Sequence, residues 1–193
     1  MSYLAVGFAA VFVSGLTMFS GFGLGTLLMP VFAIFFPIET AVSATALVHG
    51  ANSIFKIQAV GKHADRTLVL QFGLPAILSA FAGAGMLMFL SGFSYLLRYE
   101  IGSIQAQITP IKLVLGFLMI LFAMFDLLPG LKKISFDRKY LFLGGVLSGF
   151  FGGLSGHQGA LRSAFLAKAG VSPQAFVGTN AMIGFMVDMT RIT

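Results

Sequence analysis

The chain has 193 residues, of which 58% are hydrophobic and 9% charged, and its mean hydropathy is strongly positive. Soluble domains carry about 25% charged residues, so this composition excludes a soluble globular protein. The formal net charge is +6 and there is no cysteine, so disulfide, thiol and thiolate-metal chemistry are excluded.

Three histidines and six acids leave little material for a multi-ligand metal site, and no metal or cofactor is expected. The basic residues stand in short loops between apolar runs. That pattern marks the cytoplasmic side of a membrane protein rather than a nucleic-acid surface. The runs are continuous rather than alternating, which points to an all-α, polytopic integral membrane protein and away from a β-barrel.

Residues 3–20 read as the first membrane helix; they lack the basic start of a cleaved signal. Gly21, Gly23 and Gly25 then break the helix, since each glycine costs about 1 kcal/mol against alanine there. Residues 26–36 are too short for an independent span, so 3–36 reads as a helix pair, either two short crossings or a broken hairpin dipping towards the midplane. After Pro37 a third helix covers 40–59. The loop around Lys62, His63, Asp65 and Arg66 is polar, and 68–91 forms a full span. Residues 92–109, with Arg98, Glu100 and Gln105, read as a connection outside the membrane.

A further span at 110–128 ends at Pro129–Gly130, followed by a basic loop with Lys132, Lys133, Arg138 and Lys139. A glycine-rich helix covers 140–153. Its Gly145, Gly149 and Gly153 stand four apart on one face, which permits close helix approach. The stretch GLSGHQGALR (153–162) follows, then a short helix to about Ala169 and a break at Gly170. Ser172 as N-cap and Pro173 at the first helical position start the last helix, to about Arg191. With the basic loops 61–66 and 132–139 cytoplasmic, the N-terminus lies outside, and the expected location is the inner cell membrane.

The glycine break recurs. A shift of 134 positions carries Gly25 onto Gly159, Leu27 onto Leu161, Ala41 onto Ala175, Thr45 onto Thr179 and Gly50 onto Gly184. The order of helix, break, short helix and Thr-containing helix occurs twice. The two copies start on opposite sides, which makes them inverted-topology repeats with glycine-broken short helices, an architecture of secondary transporters. The expected division is repeat 1 with its following spans at 1–133 and repeat 2 at 134–193. The counterparts of the spans 68–91 and 110–128 would lie beyond residue 193, so the second repeat is expected to be incomplete.

Several motifs then carry a resemblance: SGLTMFSGFGLGTLLMP (14–30), AVSATALVHGANSIFK (41–56) with GKHADR (61–66), and SGFFGGLSGHQGALR (148–162) with FVGTNAM (176–182). They make the chain similar to the sulfite exporter TauE/SafE family of membrane permeases. The resemblance implies an inner-membrane transporter of small anions, such as sulfite, organosulfonates or related carboxylates. The second motif departs from the first, with Ala164 where Pro30 stands, and it adds His157, Gln158 and Arg162.

Arg162 is the first candidate for anion capture, because an intramembrane arginine is costly and its planar donor fork suits oxyanions. Snorkelling to the interface is the bland alternative. His157, Gln158 and Gly159 lie on the second break; Gly23, Gly25 and Thr26 supply the matching half from the first. Helix N-termini there would present N–H groups to an anion. Thr45, His49, Asn52 and Lys56 share one helix face, and Lys56 reads as interfacial. Thr179, the repeat partner of Thr45, and the adjoining Asn180 complete the expected substrate site. His49 and His157 are candidates for proton coupling, against a purely structural role. Asp188 is expected to pair with Arg191 three positions on. GLSG (153–156) also spells the G-x-S-G of intramembrane serine proteases. That chemistry needs a partner histidine on a later helix, and none follows His157. A non-transporting structural membrane subunit is the remaining alternative.

Overall fold

Glycine, proline and short polar caps set most helix ends. The computed structural model describes residues 2–20, 23–102, 104–132 and 134–192; Gly21 of the first break and Lys133 of the second basic loop lie outside the described residues. Helix α1 (Ser2–Ser20) is followed by α2 (Leu24–Phe35), with Gly23 as its N-cap, and by α3 (Ile38–Val60). Helix α4 (Arg66–Ser91) begins at Asp65, whose carboxylate accepts from the Leu68 N–H at 3.0 Å, and contains a π-type turn at Val69–Gly73. Helix α5 (Pro110–Leu127) is capped by Thr109 with proline in its first turn. Then come α6 (Leu141–Ser155), α7 (Gly159–Leu166) and α8 (Pro173–Met189). Ser172 accepts from the Ala175 N–H, the cap expected from Ser-Pro.

Among the described residues, two helices, α4 and α5, are long and apolar enough to cross a membrane. Their outer faces carry exposed Leu78, Met88, Phe117 and Ile120, the kind of apolar surface that lipid covers. The order of helix, break, short helix and long helix occurs as α1–α2–α3 and again as α6–α7–α8.

The all-α expectation needs one correction. Residues 92–109 hold an antiparallel hairpin, β1 (Leu97–Ile101) with β2 (Ile104–Ile108), in a register that sets Leu97 opposite Ile108 and Glu100 opposite Gln105. Gln105 donates to the Glu100 carboxylate at 2.9 Å. The alternation in LRYEI and IQAQI carries this signal, and Gly102 supplies the positive φ of +61° that a tight turn favours.

Among the described residues, three apolar clusters hold the helices. Phe72, Ala76 and Ala80 of α4 pack with Leu141, Phe165 and Ile183. Met29, Val42, Leu87, Leu115, Phe122 and Leu154 join α2 through α6. Val13, Leu24, Leu28, Phe32 and Ala41 join α1, α2 and α3. The tightest contact is between α4 and α6. A Cβ on Gly145, Gly149 or Gly153 would overlap the carbonyl oxygens of Phe72, Ala76 and Ala80 respectively. The three glycines therefore set how close the two backbones come, as their spacing of four implies.

Candidate functional site

The two breaks meet. Helix α6 ends at Gly156, whose φ of +82° closes the last turn by donating to the Gly152 carbonyl at 2.9 Å. A Cβ on Gly25 would stand 2.8 Å from the Gly156 carbonyl oxygen, so a glycine is needed at this crossing of α2 with the second break. Beside it opens a cavity of about 520 Å³. Its walls are α2 at Gly23 and Leu24, the polar face of α3, the end of α5, and α7 and α8.

On α3, His49, Asn52, Ser53 and Lys56 line this cavity, so three of the four members of the predicted polar face, His49, Asn52 and Lys56, reach it, and Ser53 joins them. Arg162, Ser163 and Gly159 line it from α7, and Asn180 from α8. Arg162 is buried, at 5% exposure, and does not reach out to an interface. Its Nε donates to the Asn180 side-chain oxygen and its Nη1 to Gln158 Oε1 at 2.7 Å, leaving Nη2 uncommitted among the described residues. Two clamps on a planar group fix its orientation before any ligand arrives.

Behind the arginine runs a buried polar chain. Gln158 Nε2 donates to Asp188 Oδ1 at 2.8 Å, and the Gln158 carbonyl accepts from the Ser148 hydroxyl at 3.1 Å. Asp188 forms the expected ion pair with Arg191, and its other oxygen lies 2.5 Å from His49 Nδ1. One carboxylate with no solvent exposure therefore holds together α3, the second break and the end of α8. Such a group is tolerated at depth because both of its oxygens have polar or charged partners. The pair with Arg191 was legible three residues apart; the link to His49, 139 residues away, was not.

Gly23, Gly25, Thr26 and His157 surround a second, smaller space of about 20 Å³ between the breaks, which His49 and Gly159 also line. His157 is 3% exposed and stacks on Phe122 at a centroid distance of 5.4 Å. Thr45 and Thr179, the pair related by the shift of 134, line neither space. The Thr45 hydroxyl donates to the Ala41 carbonyl at 2.8 Å, and the Thr179 oxygen accepts from the Asp65 N–H at 2.9 Å, tying the 61–66 loop to α8. Gln158 lines neither space either and acts through Arg162.

Asp126 is the residue that sequence reasoning passed over. It is buried on the last turn of α5 and lines the larger cavity. Its carboxylate accepts from the Gly23 N–H at 3.0 Å and the Thr26 hydroxyl at 2.8 Å, so the α2 N-terminus already holds an anion from the protein itself. The signal was present: Asp126 is the only acid in the apolar run 110–127.

The G-x-S-G serine has no exposure, and its hydroxyl donates to the Phe151 carbonyl at 2.9 Å. His157 Nδ1 lies 3.1 Å from that oxygen, so a histidine does sit beside Ser155, from the break rather than from a later helix. A nucleophile with no accessible surface and a committed proton is not poised for a peptide bond.

The family model of the sulfite exporter TauE/SafE matches residues 3–193, and the chain belongs to that family. No curated protein and no solved structure matches the chain. TauE/SafE proteins are membrane transporters, and α4 and α5 of this chain are long and apolar enough to cross a membrane.

Proposed function

We propose that this TauE/SafE member carries small anions, sulfite, organosulfonates or related carboxylates, through the cavity between the two glycine breaks, with Arg162 as the principal anion ligand. The observation that carries the reading is the pairing of Arg162. This buried cation on the cavity wall is held by two neutral amides, Asn180 and Gln158, and forms no ion pair among the described residues. A buried cation held only by neutral groups favours an anionic partner. Arg162 Nη2, the Asn52 amide and the Ser53 and Ser163 hydroxyls supply donors on the cavity wall.

The two element series α1–α2–α3 and α6–α7–α8 act as inverted repeats, at 1–133 and 134–193, and rock about the crossing at Gly25 and Gly156 to give alternating access. Proton coupling runs through His49, which touches the cavity and the Asp188 carboxylate together. A proton on His49 weakens the hold of Asp188 on Gln158, and Gln158 orients Arg162. The chain sits in the inner cell membrane with loops 61–66 and 132–139 cytoplasmic.

Sulfite flux into proteoliposomes tests the reading. Wild-type protein is expected to move sulfite faster with an imposed pH gradient, and Arg162→Ala to lose most of that flux. Normal flux in Arg162→Ala overturns the anion site, and gradient-independent flux overturns proton coupling.

A further inference from the structure

We propose that Asp126 is a resident competitor for the transported anion, occupying the donors of the α2 N-terminus until the substrate displaces it. The inference rests on the anion-transport reading and adds a residue and a step to it. The Asp126 carboxylate is bonded to two donors of one helix turn, the Gly23 N–H and the Thr26 hydroxyl. An oxyanion entering the cavity from the Arg162 side would meet the Gly23 N–H on the cavity wall beside Asp126, and the Thr26 hydroxyl in the adjoining small space that Gly23 also lines. A carboxylate is a fair likeness of such a ligand: two oxygens, one charge, the same hydrogen-bond geometry.

Gly23 makes the contact possible. A Cβ there would stand 3.1 Å from Asp126 Oδ2 and 2.9 Å from Thr26 Oγ1, so any side chain would hold the carboxylate off the backbone. A second, independent observation marks the place as one that receives a polar ligand. The small space behind Gly23 and Thr26 is also lined by His157, which is 97% buried by its 3% exposure and whose Nε2 has no hydrogen-bond partner among the described residues. Its volume of about 20 Å³ takes one water or one ligand oxygen. A protonated anion oxygen, or a water that travels with the anion, would satisfy the Nε2 atom.

The consequence is mechanical as well as chemical. While Asp126 holds the α2 N-terminus, the end of α5 is tied to the first break. When an anion takes over the donors, the carboxylate is released and the tie between α5 and the break is lost. Substrate arrival and release of the break become one event, and the resident carboxylate reduces apparent affinity by the fraction of time it occupies the donors.

Sulfite and methanesulfonate binding to the purified full chain, by titration calorimetry in detergent, tests this with Asp126→Asn, Thr26→Val and the double variant. Asparagine keeps an acceptor for the Gly23 N–H but competes less well than a carboxylate. Asp126→Asn is expected to bind about fivefold tighter, which is about 1 kcal/mol. The gain should shrink to within about twofold in the Thr26→Val background, because the competition is over that hydroxyl. Equal or weaker binding by Asp126→Asn overturns the inference, as does a full gain in the Thr26→Val background, which would mean a long-range charge effect. Asp126→Glu is the second variant, and it keeps the charge while losing the geometry. It is expected to bind tighter than wild type too, and wild-type affinity there counts against the proposal. Failure of the wild-type chain to bind either anion overturns the transport reading itself, and the inference with it.

Discussion

Gly184 offers a perturbation that separates function from stability. It lies buried in α8, and a Cβ at this position would stand 3.0 Å from both Nη atoms of Arg162 and 3.2 Å from Cζ. Ordinary carbon contacts are about 3.5 Å or more, so in Gly184→Ala the guanidinium must retreat by about 0.5 Å. The retreat has to strain the Gln158 bond, now 2.7 Å, and the Asn180 bond together, because both clamps are on the same planar group. Alanine meanwhile favours the helix by about 1 kcal/mol over glycine. The two effects on stability nearly cancel, whereas the arginine is displaced from the orientation that its clamps impose. Misplacement by half an ångström is expected to weaken anion affinity roughly tenfold, about 1.4 kcal/mol, with the melting temperature within a few degrees of wild type. Calorimetric binding of sulfite and thermal unfolding in detergent, on the same preparation, give both numbers. Wild-type affinity in a folded Gly184→Ala protein would refute the claim that the fixed arginine is the anion ligand.

Gly153→Ala should act in the opposite way. Its methyl has no space against the Ala80 carbonyl, so α4 and α6 must separate; destabilisation of about 1–3 kcal/mol is expected, read as a lower melting temperature, with binding by the remaining folded protein unchanged. Ser155→Ala removes the bond to the Phe151 carbonyl and also the oxygen 3.1 Å from His157 Nδ1, leaving that buried imidazole nitrogen without a partner. Destabilisation of about 1–3 kcal/mol is expected, with sulfite flux per folded protein within about twofold of wild type. Loss of a peptidase activity in this variant, measured on a model transmembrane substrate, would instead revive the protease reading.

Much of the framework was legible in the sequence because it depends on local rules. Apolar run length set the spans α4 and α5, Ser172–Pro173 set the start of α8, and Gly145, Gly149 and Gly153 announced a close helix contact. The hairpin at 97–108 is equally local, but the polar character of the segment shows only a connection between spans, and its strand signal lies in the short alternation of LRYEI and IQAQI.

The site divides differently. Sequence alone brought out Arg162 as a charge in an apolar setting and His49, Asn52 and Lys56 as one helix face, since helical period and hydropathy are properties of neighbouring residues. Thr45 and Thr179, related by the shift of 134, have backbone partners outside the cavity, because positions that correspond in sequence need not face the same space. Only the tertiary structure decided that Asp188 meets His49 and Gln158, that Asp126 reaches the α2 N-terminus from about one hundred residues away, and that Gly25 passes over Gly156. Such meetings depend on how whole helices pack, and packing is set by the summed contacts of many side chains rather than by any local pattern. The amino-acid order determined a membrane chain broken twice by glycine. The fold determined which buried charges those breaks bring together, and so where an anion is to be sought.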